Sequence, residues 1–254
     1  MEQQAYREQF ELEDTHWWFA GRRAVIRALL QRTGAIDGLR LLDAGCGTGH
    51  NLREFGTPGT ARGVDSSPQA IEFCRLRGVE GVSEGRIEEL PFPDGSFDLI
   101  LATDVLEHLS DDRAAMRELR RVAAPGARLL ATVPAYRWLW SQHDTAHHHF
   151  RRYTLARLRG RLQAAGWRPL AWSYFNTVLL PPIAAVRVLG RRHTDADGER
   201  PDLRLTPAAL NRLLEAPMRL EAGLIGHGAR LPAGVSIGIV CAAGEPAGEP
   251  AGVR

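Results

Sequence analysis

The chain alternates between apolar runs of four to seven residues and longer segments whose apolar positions recur at helical spacing, a pattern that predicts alternating β-strands and α-helices. Helices are expected at Glu2–Asp14 and Arg22–Gln31, before the first apolar run, Leu39–Ala44. A strand at Ala61–Val64, a helix at Pro68–Arg77 and a weak strand near Val79–Val82 follow. Strand Phe97–Ala102, helix Asp111–Ala123 and strand Arg128–Val133 come next. Asp111 and Asp112 open that helix where negative charge suits the dipole, and Pro125–Gly126 is expected to close it. A helix from Thr154 to Gly166 leads into strand Trp167–Tyr174, and the unbroken apolar run Val235–Ala242 reads as a buried inner strand. Some sixty residues, Phe175 to Gly234, separate those two strands, far more than an ordinary connection. They hold a Pro-interrupted apolar segment, Asn176–Leu189, a polar loop, His193–Asp202, and a helical stretch, Pro207–Leu224. This insertion reads either as a lid or lipid-facing platform or as a packed helical extension. The repeat Gly244–Pro250 is of low complexity and is expected to be disordered.

The first long apolar run ends in Asp43–Ala44–Gly45–Cys46–Gly47–Thr48–Gly49. Glycines at this spacing let a backbone turn approach a bound nucleotide closely. A dinucleotide fingerprint would place its third glycine at 50, where the chain has His50, whereas Gly49 suits S-adenosylmethionine better. Sixteen positions after Gly49, Asp65 ends the next apolar run, where a carboxylate can accept both hydroxyls of a ribose. As plain structure, the glycines would be a tight turn and Ser66 or Ser67 a helix N-cap.

Glu88–Leu101, with its Leu90–Pro91–Phe92–Pro93–Asp94–Gly95–Ser96–Phe97–Asp98 core, and Val105–Leu106–Glu107–His108 complete an ordered set of motifs with the glycine turn. With these three the chain resembles the class I S-adenosylmethionine-dependent methyltransferases over about Leu39 to Pro134, in the branch whose members open with His-Trp-Trp-Phe-x-Gly-Arg-Arg. The resemblance implies an α/β, Rossmann-like, seven-stranded and mostly parallel sheet, with an N-terminal helical cap and a helical insertion before the last strand. The implied division is a cap at 1–35, a cofactor-binding core at 36–174, the insertion at 175–234, the last core strand at 235–243 and a tail at 244–254. Asp43 with Gly45, Gly47 and Gly49 should hold the methionine part of the cofactor, and Asp65 with Ser66 the ribose. Arg86 stands where many relatives carry an acid that accepts the adenine amino group; arginine cannot accept, so Ile87, Glu88 or stacking by Arg86 must serve. Thr103, Trp17 and Arg22 complete the expected cofactor contacts. Trp17 and Trp18 are expected to close over the cofactor, since aromatic faces attract a sulfonium. Glu107 and His108 match the family's helix start, with His108 structural.

Methyl transfer from a sulfonium is an in-line displacement, and an oxygen or nitrogen acceptor must also lose a proton. The densest polar stretch, Ser141–Tyr153, follows the fifth strand, where this fold borders its acceptor. Some relatives carry a similar His-Asp-x4-His-x-Arg-Arg-Tyr segment. It selects His143 and Asp144 for proton removal or orientation, and His149, Arg152 and Tyr153 for the acceptor, with Arg151 beside them. Adjacent arginines with a tyrosine suit an anionic group, and as plain structure a salt-bridged helix start. Consecutive His147, His148 and His149 cannot point to one centre from regular backbone, so no metal is expected from that run.

Composition narrows the alternatives. A net charge of +2 with scattered basic pairs gives no case for nucleic acid, and 44% hydrophobic content is ample for a core. Every basic residue is arginine. Cys46, Cys74 and Cys241 are too few and scattered for a disulfide framework, and Met1–Gln4 lacks a signal-peptide pattern; a reducing cytoplasm is expected. The apolar stretch at 177–189 is too short and interrupted to span a bilayer, although 176–189 suits weak contact with a membrane surface. The expected function is therefore methyl transfer to a small-molecule or lipid-linked acceptor, by O- or N-methylation. The competing readings are a cofactor-binding module without chemistry and a nicotinamide-dependent oxidoreductase.

Overall fold

The computed structural model describes residues 3–190 and 207–244. Helices α1 (Gln3–Leu12) and α2 (Trp17–Gln31) precede β1 (Leu41–Ala44), α3 (His50–Phe55), β2 (Arg62–Asp65), α4 (Pro68–Leu76), β3 (Val82–Glu84) and β4 (Phe97–Thr103). Then come α5 (Asp112–Val122), β5 (Ala123–Pro134), the one-turn helix α6 (Gln142–Ala146), α7 (Leu155–Ala164), β6 (Trp167–Phe175), α8 (Leu180–Gly190), α9 (Ala208–Gly226) and β7 (Ser236–Ala243). The strands form one sheet in the order β3-β2-β1-β4-β5-β7-β6, parallel except for β7, which runs antiparallel between β5 and β6. The expected fold is thus the observed one.

Strands covered on both faces read as continuous apolar runs, and β1, β4 and β7 are buried almost throughout. On one face Ile100, Leu129 and Ile239 pack with Met116, Leu119, Leu158 and Trp167, under α5 and α7. On the other, Leu99, Leu130 and Val240 pack with Ile26, Leu29, Met218 and Ile225, under α2 and α9. Here α2 and α9 lie so close that a Cβ on Gly21 would come within 2.6 Å of Met218 Sδ. The strand order reverses between β1 and β4, which opens a crevice beyond their C-terminal ends.

Several boundaries differ from the sequence reading. α2 starts at Trp17 rather than Arg22 because the His16 ring caps it, accepting from Trp18 N–H at 3.3 Å. Pro125 and Gly126 do not close α5; they lie inside β5, in the irregular register where Phe97 pairs with Ala123 and Leu99 with Arg128. β3 lies at 82–84, just after the expected 79–82. Leu106–His108 is a single 3-10 turn, and α5 begins only after the Asp111 carboxylate caps Arg113 and Ala114 N–H. Pro181 and Pro182 sit in the first turn of α8, where their missing N–H groups have no intrahelical partner to lose. The loop His193–Asp202 and the tail beyond Gly244 lie outside the described residues.

Candidate active site

Local backbone geometry builds one end of the site. Gly45, Gly47 and Gly49 have φ of +78°, +53° and +83°, left-handed values that disfavour side chains. A Cβ on Gly45 would also come within 2.5 Å of Val105 Cγ2. Arg77 clamps the turn from behind, donating to Thr48 O at 2.9 Å and to Glu13 Oε2 at 3.0 Å, while the Thr48 hydroxyl donates to the same Glu13 carboxylate. The end of α1 is thereby fastened to the glycine turn.

A single cavity of about 1470 Å³ runs from this turn to the histidine-rich loop, larger than the ~300–1,000 Å³ typical of one small-molecule site. Trp17, Arg22, Gly45, Gly47, Asp65, Ser66, Arg86, Ile87 and Thr103 all line it. Asp65 accepts from Gly47 N–H at 2.9 Å, Ser67 N–H at 3.0 Å and the Tyr6 hydroxyl at 3.2 Å. Burial and the Asp65 charge push the Tyr6 phenol up. Arg22 is paired with Asp104 at 2.5 Å, and Arg86 with Glu88 at 3.1 Å. Trp18 stacks on Phe175 with ring centres 5.9 Å apart.

Two of the expected cofactor contacts do not reach the cavity. Gly49 caps α3 and faces inward, 2.9 Å from Cys74 Sγ at its Cβ position. Asp43 is fully buried behind the turn; burial pushes its pKa up to about 8, against the pull of Arg22 and of a hydrogen bond from Asn51.

At the other end His143, His147, His148, His149 and Arg152 line the cavity, but Asp144 and Tyr153 stand behind its wall. Asp144 is fully buried, takes Arg152 Nε and Nη2 at 2.7 and 2.9 Å and His149 Nδ1 at 2.9 Å, and caps α6 through Ser141 N–H. Burial opposes its ionisation, but the His149 and Arg152 hydrogen bonds outweigh it and hold its pKa well below the usual carboxylate range. Asp144 thus orients other groups and cannot itself touch an acceptor. Tyr153 is also fully buried; its hydroxyl donates to Asp112 at 2.6 Å, so it is a structural tyrosine and not an acceptor contact. Nor does the arginine pair await an anion: Arg151 pairs with Asp112 at 3.0 Å and Arg152 with Asp144. Burial pushes the His143 pKa down to about 3, and the nearby His147 and His149 rings add to this, so its imidazole is neutral.

The sequence reading missed Tyr6 at the cofactor end and, along the outer wall, Leu179 just before α8 and Ile183 and Val186 within it. Tyr6 follows no motif, and its position depends on α1 folding back onto α4, with the Phe10 and Phe73 rings 5.0 Å apart. The apolar spacing of α8 was the available signal for the others.

Comparison with known proteins agrees with this geometry. Residues 42–131 match the family described as "Methyltransferase domain". A methyltransferase of Bacillus subtilis (YcgJ) is 40% identical over 99 residues, covering 36% of this chain and 39% of that protein. The demethylmenaquinone methyltransferase of Tropheryma whipplei is 35% identical over 126 residues, 47% of this chain and 48% of its own. The chain thus spans less than half the length of these curated relatives. Among solved structures, the methyltransferase in complex with the Haloferax volcanii Trm112 activator superposes with a TM-score of 0.60, covering 95% of both chains at 20% identity. A methyltransferase from Thermotoga maritima gives 0.56 over 94% of this chain and 99% of that one at 18% identity. These two share the fold. The core of this chain is a methyltransferase domain of class I, the S-adenosylmethionine-dependent class.

Proposed function

We propose that this chain transfers a methyl group from S-adenosylmethionine to the oxygen or nitrogen of a small acceptor with an apolar or lipid-linked portion. One observation carries the reading: a continuous cavity joins the glycine turn and Asp65 to the histidine-rich loop. Its volume accommodates cofactor and acceptor together. Gly45 and Gly47 let the backbone meet the cofactor, Asp65 and Ser66 take the ribose, Arg86 and Ile87 flank the adenine, and Trp17 with Arg22 borders the sulfonium. His143, which lines the cavity, is the group to take the acceptor's proton, while Asp144 acts at a distance by fixing His149 and Arg152. The apolar portion is suggested by α8 and the two residues before it, where Leu179 and Ile183 line the cavity while Val178 and Val186 are 55% and 72% exposed. A hydrocarbon chain or membrane surface meets the site along that face. Among the described residues no helix is long and apolar enough to cross a membrane.

Calorimetry with S-adenosylhomocysteine tests the cofactor half. Asp65→Ala is expected to weaken binding by about 1.5–3 kcal/mol, roughly 10- to 150-fold. Unchanged affinity would refute the ribose assignment. For the acceptor half, His143→Ala should lower turnover on a methylated acceptor by ~10²–10⁴ with cofactor affinity preserved. Wild-type turnover in that variant would make the histidine a wall residue only.

A further inference from the structure

At the acceptor end of the cavity, two stretches of chain bring three potential ligands together. One ligating atom from each of Glu107, His108 and His149 lies within 4.8 Å of the other two. The stretches are tied at the backbone, Phe150 N–H donating to Glu107 O at 2.8 Å, and the His108 and His149 rings meet edge to face at 4.5 Å. All three residues line the cavity.

Their surroundings are those of ligands rather than of packing groups. Glu107 is only 1% exposed and its Oε2 accepts no hydrogen bond. A carboxyl oxygen so far from water calls for a donor or a cation. His149 Nδ1 faces Asp144 Oδ1 at 2.9 Å, and Arg152 holds that carboxylate from two sides. With a hydrogen on Nδ1 toward Asp144, Nε2 is the nitrogen left to ligate, the carboxylate-backed arrangement of metal-binding histidines. The run of consecutive histidines could not converge on its own; its last member meets the 106–108 segment, which supplies the other two groups.

We propose that Glu107, His108 and His149 bind one divalent transition-metal ion, zinc or a close relative, with its remaining coordination positions open to the acceptor. Two imidazoles and one carboxylate suit a first-row transition metal, whereas magnesium and calcium prefer oxygen ligands alone. Three protein ligands and an open position are the pattern of reactive zinc sites, closed four-ligand sets that of structural ones. Ligand bonds of about 2.0–2.2 Å would draw the three atoms to roughly 3.4 Å from one another, a modest side-chain adjustment. The cation also supplies what the internally paired arginines do not, a positive centre facing the acceptor.

Metal binding does not depend on the methyl-transfer reading, but its role does. An acceptor hydroxyl on the open position would lose its proton more readily, the proton passing to His143 or to water. The oxygen's electron pair then forms the O–CH3 bond as the S–CH3 bond breaks, its electrons returning to sulfur, which leaves as a neutral thioether. The acceptor class this implies is a hydroxyl compound able to reach the cation.

The test uses the full chain stripped with a chelator and titrated with Co2+, followed by its visible d–d absorption, then with Zn2+ by displacement of the Co2+ signal. One ion per chain is expected, with Glu107→Gln and His149→Ala each weakening binding at least about tenfold and His227→Ala binding as wild type. Glu107→Gln keeps the side chain's shape, and its thermal unfolding separates lost ligation from lost folding. Uptake of neither ion by the wild-type chain, or wild-type affinity in a folded Glu107→Gln, would overturn the site. Methyl transfer surviving in a metal-free chain removes the catalytic role, and stoichiometric metal without any methyl transfer leaves the site standing while the proposed activity falls.

Discussion

Replacing Tyr6 by phenylalanine isolates the contact between α1 and the proposed ribose carboxylate. Tyr6 is 5% exposed, and its hydroxyl donates to Asp65 Oδ1 at 3.2 Å. A carboxylate offers about four acceptor positions. Gly47 N–H, Ser67 N–H and Tyr6 already occupy three, so a ribose that donates two hydroxyls must displace one of them. The two amides are fixed in the backbone of the turn, which makes the phenol the group that yields. Its hydrogen bond therefore opposes cofactor binding by its net worth, about 0.5–1.5 kcal/mol. Tyr6→Phe should tighten S-adenosylhomocysteine binding by about 2- to 13-fold in calorimetry, with a loss of cofactor-free stability no larger than the same free energy. Weaker binding in Tyr6→Phe would refute the reasoning, since it would mean that the hydroxyl contacts the cofactor instead of competing with it.

Gly45→Ala combines a left-handed φ with a Cβ in the position of the Val105 side chain, and should lower stability by about 1–3 kcal/mol in urea unfolding while weakening cofactor binding. Burial raises the pKa of Asp112, but Tyr153, Arg161 and Arg151 together lower it below its ordinary value. A depressed folded-state pKa means that the unfolded chain binds the extra proton, so this stabilisation is complete above about pH 4–5 and fades as pH falls through the folded value. The stability gap between wild type and Asp112→Asn, measured by urea unfolding, should accordingly shrink from pH 7 to pH 3; a constant gap would show that the pairing contributes through shape and not charge.

The fold was legible because inner strands of a parallel sheet need continuous apolar runs and the cofactor turn needs glycine, both local properties. The histidine-rich loop was legible as a dense polar stretch, but the partners of its charged groups were not. Reading the Asp144 to Tyr153 segment in one dimension exposes two arginines, an acid and a tyrosine to an imagined ligand. In three dimensions Asp112, the first residue of α5, takes Arg151 and Tyr153, and Asp144 takes Arg152. Burial of ionic groups demands partners; Asp144 pairs within the loop itself, but Asp112 comes from distant sequence. The same distance hid the meeting of Glu107 and His108 with His149. At α2 the difficulty was a histidine N-cap, a residue type that ordinarily signals no helix start.

The position of β7 has a consequence for how the chain is made. During synthesis from the N-terminus, β5 and β6 are both complete before the strand that joins them exists. Until residue 243 has left the ribosome, β5 presents an open edge of unpaired backbone groups, and β6 has no neighbour to hold it. Edges of this kind recruit other chains. A nascent or truncated product ending before residue 236 should therefore be prone to aggregate even though most of its apolar core residues are already present, and its solubility would depend on how long that edge waits for its partner.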